Sequence, residues 1–128
     1  MQAYSTATKS WATGEAHAAQ SQAINMRGLI VGLSIPISEV TANPTVAVTF
    51  RDADGAIIIP DALCATLADG TNHYKVALSH KASPDAEFNP APVDGPITIS
   101  IDPSADAGGL AQTLTVKVRV FCMDNPNL

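Results

Sequence analysis

Strict alternation of apolar and polar residues near the end of the chain most constrains what this sequence can fold into. Side chains along a β-strand point to opposite faces with a period of two, so a run of this kind predicts a strand with one buried face. Two such runs, residues 96–102 and 113–122, flank the turn-like stretch "DPSADAGG" at residues 102–109. Their predicted inward side chains are Ile97, Ile99 and Ile101, then Leu114, Val116, Val118, Val120 and Cys122.

The same period occurs upstream. We expect a strand that begins near Leu29 and weakens at Pro36, because proline cannot donate to a β-ladder. A strand at Thr45–Arg51 leads into "DADG", whose Asp-Gly pair is typical of a hairpin turn. A further strand is expected at His73–Ser79, followed by a proline-rich loop at His80–Pro92. The predicted inward residues are Leu29, Val31, Leu33, Ile35 and Ile37, then Val46, Val48 and Phe50, then Tyr74, Val76 and Leu78.

About seven strands, regular turn signals and no sustained helical pattern predict an all-β fold, an antiparallel β-sandwich of jelly-roll-like type. We expect three segments: an N-terminal arm at residues 1–23, the sandwich at 24–123 and a short polar tail at 124–128. The sequence allows two conformations for the arm. "GEAHAAQSQA" at residues 14–23 favours helix, whereas "YSTATKSWAT" at residues 4–13 favours an extended strand.

Charge and hydropathy exclude several classes of function. The formal net charge is -5, and the seven Lys and Arg residues are scattered, so no cationic cluster predicts binding to nucleic acid. No apolar run approaches the roughly 18 residues of a membrane span. The first residues lack a basic region followed by an apolar segment, so the sequence does not predict secretion by that route.

The search for chemistry predicts no catalytic, metal-binding or cofactor-binding residues. "RDADG" at residues 51–55 resembles part of a calcium loop, but Phe50 stands at the first ligand position, and a plain hairpin turn is the better interpretation. His73 and His80 would lie on opposite faces of one strand, with His73 on the outer face beside Lys75, so they make no ready metal pair. The spacing of Cys64 and Cys122 cannot establish a disulfide, and both are expected to be small buried hydrophobic residues.

The order of these motifs resembles a group of small β-sandwich structural proteins of tailed bacteriophages. The likeness covers about Asn25 to Phe121. It rests on "MRGLIVGLSIPIS", "TVAVTFRDADGAIII", "LADGTNHYKVALSH", "APVDGPITISID" and "AGGLAQTLTVKVRVF", and the residues that match are Asp69, Gly70, Tyr74, Val93, Gly95, Pro96 and Ile97. The family supplies no catalytic residues, and the segment up to Ala23 has no counterpart in the motif.

The resemblance implies a capsid cement or decoration subunit that binds the outer capsid surface and stabilises the head. The implied partners are the major capsid protein and further copies of the chain, with a trimer favoured. The implied location is the virion exterior after assembly in the host cytoplasm. We expect Tyr4, Trp11 and Phe88 to lie in the assembly interface, since aromatic anchors are common at interfaces. For Trp11 the sequence favours packing on its own domain, and anchoring the arm onto another subunit is the alternative. Deletion of residues 1–23 is expected to leave the sandwich folded and weaken assembly.

Two other functions stay open. The chain could be a carbohydrate- or receptor-binding module, as a head-tail or tail component, that uses loops at one end such as His80–Pro92. Sugar-binding faces usually need exposed aromatic platforms, and aromatic residues make up only 5% of the sequence. An enzyme is the least favoured, because no strained nucleophile motif or phosphate-binding glycine loop occurs.

Overall fold

The computed structural model describes the backbone of residues 2–77 and 87–123, and the side chains of residues 4–77 and 89–123. These residues form nine strands and a 3-10 turn, which confirms the predicted all-β class. In chain order the elements are β1 (Gln2–Ala12), β2 (Gln20–Pro36), β3 (Thr45–Asp52), β4 (Ile57–Ile59), the 3-10 turn (Asp61–Cys64), β5 (Leu67–Ala68), β6 (Asn72–Ala77), β7 (Glu87–Phe88), β8 (Ala91–Pro103) and β9 (Thr113–Met123).

The strands belong to one hydrogen-bonded sheet in the order β1-β9-β2-β8-β3-β4, with β5 beside β3, and β6 beside β2 and β7. Every pairing between described strands is antiparallel except that of β6 with β7. Strand β2 is shared between two layers: residues 20–30 pair with β8, and residues 29–36 pair with β9 and β6. Layer A below means β1, β9, the second half of β2, β6 and β7. Layer B means the first half of β2, β8, β3, β4 and β5.

The core lies between the layers and is almost entirely aliphatic. The predicted inward residues of β3, β8 and β9 are all buried, as the alternation of their sequences indicates. Phe50 and Trp11 are the large aromatic side chains of this core. Ser34 is the buried polar residue among those described, and it lies on the outer side of β2, where its hydroxyl donates a hydrogen bond to the side-chain oxygen of Asn72 at 3.1 Å. The fully buried residues with the largest side chains are Trp11, Phe50, Ile30, Leu33, Ile35, Ile59, Ile97, Ile99, Ile101, Leu114 and Val46.

The passage of β2 from one layer to the other depends on Gly28. Its φ is +132°, and a Cβ atom at this position would lie 2.2 Å from the Met123 carbonyl oxygen. Just beyond it the register between β2 and β9 shifts between Ile30 and Gly32, which makes Val31 the extra residue of a β-bulge. Bends and bulges of this kind let one strand contribute to two packed layers.

The bulge makes the predicted faces of β2 wrong over its middle. Leu29 and Val31 were expected inside, but both are only partly buried, and Ile30 between them is fully buried. One inserted residue reverses the parity of the strand. Even-numbered positions therefore face the core before the bulge, and odd-numbered positions, beginning with Leu33, face it afterwards.

The predicted faces of β6 are also wrong. Tyr74 is 66% exposed and Val76 is 48% exposed, so both point outward. The reason lies in the partner strand: Tyr74 pairs with the outward Ser34 of β2, and Val76 pairs with Gly32. His73 and Lys75 therefore share the opposite side of β6, and His73 does not take the outer-face position that the sequence predicted. The predictions for Leu78 and His80 lie outside the described residues.

The N-terminal segment is extended, and no helix forms in residues 14–23. Strand β1 pairs with β9 along its whole length, from Gln2 opposite Met123 to Ala12 opposite Thr113. A turn follows, and β2 begins at Gln20, so the expected boundary after Ala23 falls inside a strand. Most of the predicted His80–Pro92 loop and the tail at 124–128 lie outside the described residues.

Candidate assembly surface

The three aromatic residues predicted to mediate assembly have different environments. Trp11 is 2% exposed in the core of its own chain, and its indole Nε1 donates a hydrogen bond to the Ala18 carbonyl at 2.9 Å. This is the packing on its own domain that the sequence favours for Trp11. Tyr4 is 63% exposed on the outer side of β1. The backbone of Phe88 lies in β7, and its side chain is outside the described residues.

Tyr4 belongs to a row of residues that crosses layer A. Register places Tyr4 opposite Phe121, Phe121 opposite Gly32, and Gly32 opposite Val76, so four neighbouring strands contribute in line. The Tyr4 and Phe121 rings contact each other, with centroids 5.8 Å apart and planes inclined by 47°. Paired residues in a sheet share a face, and the missing side chain at Gly32 leaves a depression between Phe121 and Val76.

Further apolar side chains widen this row into a surface. The hollow over Gly32 measures about 300 Å³ and is lined in part by Val31, Tyr74, Val76 and Phe121. Met123 is 46% exposed and pairs with Leu29 where β2 bends. We call this surface the aromatic face, and it comprises Tyr4, Leu29, Val31, Tyr74, Val76, Phe121 and Met123.

Cations continue the aromatic face along β9. The alternation of β9 turns Lys117 and Arg119 to the same side as Phe121. Arg119 pairs with Thr6 and Ser34, and Lys117 pairs with Thr8, so polar neutral residues surround them. The outward positions of β1, β9, β6 and the second half of β2 hold no Asp or Glu. On these four strands this side is therefore basic and apolar, in a chain whose formal net charge is -5, and β7 brings Glu87 into register with Val76 at its edge.

A second apolar surface has the opposite charge. A groove of about 370 Å³ lies between the β3–β4 turn and the first residues of β8. Ile57, which is 60% exposed, lies in this groove together with Pro92 and Pro96. Its rim carries the carboxylates of Asp52, Asp54 and Asp94. We call it the acidic groove.

Local hydrogen bonds fix the geometry of this rim. The Asp52 carboxylate accepts the backbone N–H of Asp54 at 2.9 Å and that of Ala56 at 2.8 Å, and Gly55 supplies the positive φ of the turn, +83°. This is turn chemistry of the kind that "DADG" predicts. Asp94 pairs with Arg27 at 3.6 Å, and both side chains are well exposed. The groove thus retains more acidic than basic groups.

The ionisable groups elsewhere serve local structure. Arg51 makes a bidentate contact with Asp61, 2.7 Å for each hydrogen bond, and this lowers the pKa of Asp61. The pKa of Asp106 is lowered by hydrogen bonds from the backbone N–H groups of Gly108 and Gly14. Burial raises the pKa of the Cys64 thiol to about 11, against a weaker opposite effect of Lys75.

Among the described residues, no three His, Cys, Asp or Glu side chains come together in a way that could hold a metal ion. Cys64 and Cys122 are both buried, and no disulfide joins them. In the same part of the chain, no helix has the length and apolar character needed to cross a membrane.

Comparison with known proteins supports the fold and leaves the family unassigned. No family model and no curated protein sequence matches the chain. A chain of the cyanophage Pam1 capsid asymmetric unit is similar in structure, with a TM-score of 0.54 and 16% identity over 97% of this chain and 85% of that chain. A chain of infectious bursal disease virus, Gt strain, aligns at a TM-score of 0.41 and 15% identity, over 94% of this chain and 33% of that one. The second score is too low to support an argument, and the first relates the fold to a viral capsid chain.

The sequence predicted only Tyr4 of the aromatic face as a site residue. One further signal was available: Phe121 occupies an outward position in the most regular strand of the chain. Tyr74 and Val76 could not be placed, because β6 alternates between two sets of residues that both suit a partly exposed strand. Their face is set by the register with β2, which a short sequence pattern does not contain.

Proposed function

We propose that this chain is a virion structural protein, a capsid cement or decoration subunit that binds the outer capsid surface and stabilises the head. The observation that carries the proposal is the likeness of nearly the whole fold to a chain of a phage capsid asymmetric unit. A likeness of fold is an analogy for function. Surface chemistry therefore has to support it as well.

The surface adds that support. Tyr4, Tyr74, Val76 and Met123 are all large apolar side chains that the described chain leaves exposed on one side. Contiguous apolar surface of this kind marks sites of protein–protein contact. The partners in this proposal are the major capsid protein and further copies of the chain, with a trimer favoured. The acidic net charge suits a protein on the virion exterior, away from packaged DNA.

Binding to heads tests this function directly. The purified chain is mixed with empty heads assembled from the major capsid protein encoded in the same genome, and the heads are then sedimented. We expect the chain to co-sediment to a fixed saturating ratio and to raise the temperature at which the heads disrupt. Heads of an unrelated phage serve as the control. Absence of saturable binding at any ratio would remove the proposal.

The exposed tyrosines favour one alternative, a carbohydrate-binding module. Tyr4 and Tyr74 are 63% and 66% exposed, as the aromatic platforms of sugar-binding faces are. A glycan array probed with the wild-type chain and with Tyr74→Ala separates the two functions. Binding that is lost in Tyr74→Ala supports the carbohydrate module, whereas an array without signal leaves the capsid proposal as the better one.

A further inference from the structure

We propose that copies of this chain bind each other head to tail, with the aromatic face of one copy seated in the acidic groove of the next. The inference deepens the proposed function, on which it rests, because it names the two surfaces that build the oligomer. The occupant of the aromatic face is then a second copy of the chain. Each copy would contact one neighbour through its aromatic face and another neighbour through its acidic groove.

Charge complementarity is the first argument. Lys117 and Arg119 lie beside the aromatic face, and the outward positions of β1, β9, β6 and the second half of β2 around them carry no carboxylate. Asp52, Asp54 and Asp94 line the acidic groove, where Arg27 offsets one of them. The chain has more acidic than basic residues, and its formal net charge is -5. A basic patch on such a chain therefore finds complementary charge on another copy, and complementary potentials select partner and orientation.

Apolar complementarity is the second argument. Both surfaces combine exposed hydrophobic side chains with charge: Tyr4 and Tyr74 on one, Ile57 on the other, all at least 60% exposed. Interfaces are enriched in Tyr and Arg at their centres, and an aromatic anchor that fills a groove is a common arrangement. The groove also borders residues 91–96 of β8, which extend past the point where Asp52 pairs with Ile97 at the end of β3.

The relative position of the two surfaces is the third argument. Leu29 pairs with Met123 of the aromatic face on one side and with Pro92 of the acidic groove on the other. The two surfaces therefore adjoin across the bend of β2. Contacts between different surfaces form a ring where the rotation between copies closes, and an open filament where it does not. Surfaces that adjoin at a corner turn each copy sharply relative to the last, which favours a small closed ring such as the trimer.

The test is the mass of the purified chain in solution, measured by sedimentation velocity over a range of concentrations. We expect the wild-type chain to form a small closed oligomer. Arg119→Glu and Asp54→Lys should each weaken association at least ~10-fold, because each places like charges across the contact. Asp102→Lys, which changes the net charge as Asp54→Lys does but lies outside both surfaces, is the control and should assemble as the wild type does.

Two combinations make the test specific. The double variant Arg119→Glu with Asp54→Lys exchanges the charges across the contact, so it should recover the oligomer. An equimolar mixture of the two single variants should associate where neither variant does alone, because the intact groove of Arg119→Glu meets the intact aromatic face of Asp54→Lys and the two altered surfaces carry opposite charges. A wild-type monomer, or single variants that assemble normally, would overturn the inference.

This experiment is independent of capsid binding. A chain that is monomeric in solution yet saturates heads would overturn the head-to-tail contact and leave the cement function intact. A chain that forms the ring but does not bind heads would overturn the cement function and leave the head-to-tail contact intact.

Discussion

Strands β2 and β9 have similar apolar sequences but behave differently in the fold. Strand β9 keeps one parity from Leu114 to Cys122, with every even-numbered side chain buried. Strand β2 changes parity at its bulge, where the extra residue Val31 is inserted, and contributes to both layers. Alternation therefore predicts which side chains are buried only as far as the backbone stays regular.

The difference follows from position in the sheet. Strand β9 lies between β1 and β2 within one layer, and nothing requires it to bend. Strand β2 must leave β8 and join β6, which takes the positive φ of Gly28 and the adjacent bulge. The same bend places Leu29 and Val31 on the aromatic face. The bulge of β2, which breaks the alternation of apolar and polar residues, therefore also forms part of the aromatic face.

The largest expected effect on stability comes from removing β1, the strand that pairs with β9. Deletion of residues 1–23 takes away β1, the start of β2 and the buried side chains of Ala7 and Trp11. Loss of a buried Trp side chain alone costs about 3–5 kcal/mol, a large part of a typical domain's stability. We therefore expect the truncated chain to lose cooperative thermal unfolding, measured by circular dichroism.

A milder variant provides the control for this deletion. Trp11→Phe keeps β1 and most of the buried ring but removes the hydrogen bond to the Ala18 carbonyl. It should fold and lose only about 1–2 kcal/mol. A truncated chain that melts cooperatively at the wild-type temperature would show that residues 1–23 are a separable arm, as the sequence suggested.

The second prediction addresses the bend of β2. Gly28→Ala would force a Cβ atom against the Met123 carbonyl oxygen, so we expect a loss of more than ~3 kcal/mol in urea unfolding. Gly95→Ala is the matched control, because Gly95 also has a positive φ, +116°, but nothing lies within 4 Å of its Cβ position. Its cost should be that of backbone strain alone, about 1–2 kcal/mol. Equal losses for the two variants would contradict the close approach at Gly28.

The third prediction tests the parity of β2 across the bulge. Ile30→Ala should cost about 2–5 kcal/mol, because Ile30 is fully buried. Leu29→Ala removes a side chain of the same size from a partly exposed position, and it should cost about 1 kcal/mol. Chemical denaturation of both variants shows which of them loses more free energy of unfolding. The unbroken alternation of the sequence predicts the reverse order, so the pair decides between the two registers.

The smallest expected effect concerns the turns that connect the ends of these strands. Asp106 accepts N–H groups from Gly14, before β2, and from Gly108, before β9. These bonds hold the pKa of Asp106 below its ordinary value of 3.8 in the folded chain. The carboxylate therefore stabilises the fold above that value, and the contribution is lost as the pH falls through the lower folded pKa.

Melting temperatures at pH 7 and pH 3 measure this effect. Asp106→Asn should lower the melting temperature slightly at pH 7 and have less effect at pH 3, because pH 3 lies below the ordinary carboxyl pKa of 3.8 and part of the carboxylate's contribution to stability is lost there. Asp61, whose pKa is lowered by Arg51, titrates in the same direction and remains in both chains as the internal reference. An equal decrease at both pH values would contradict the role given to the Asp106 carboxylate.

Much of the fold could be predicted from the sequence because β3, β8 and β9 are regular. Their inward residues are β-branched or large apolar side chains at every second position, and the hairpin turn carries its own signal in Asp52–Gly55. The all-β class follows from these elements. The position of β1 could not be predicted, because its polar outward residues and small inward residues, such as Ala7, give a weak period.

The candidate surfaces were harder to predict because they depend on which strands become neighbours. Tyr4 meets Phe121 only through the pairing of the first strand with the last. Asp94 and Asp54 meet at the acidic groove through the pairing of β3 with β8. Such contacts join residues far apart in the sequence, and local periodicity holds no information about them.

The pairing of β1 with β9 also determines how the molecule carries mechanical load. Gln2 lies directly opposite Met123, so the two ends of the described chain meet at the same end of an antiparallel pair. A force that pulls these two ends apart would break the hydrogen bonds between β1 and β9 one pair at a time, starting from Gln2 and Met123. Shear along the strands would instead load many of these pairs at once. A subunit built this way resists sliding of β1 along β9 and yields when it is pulled apart at its ends.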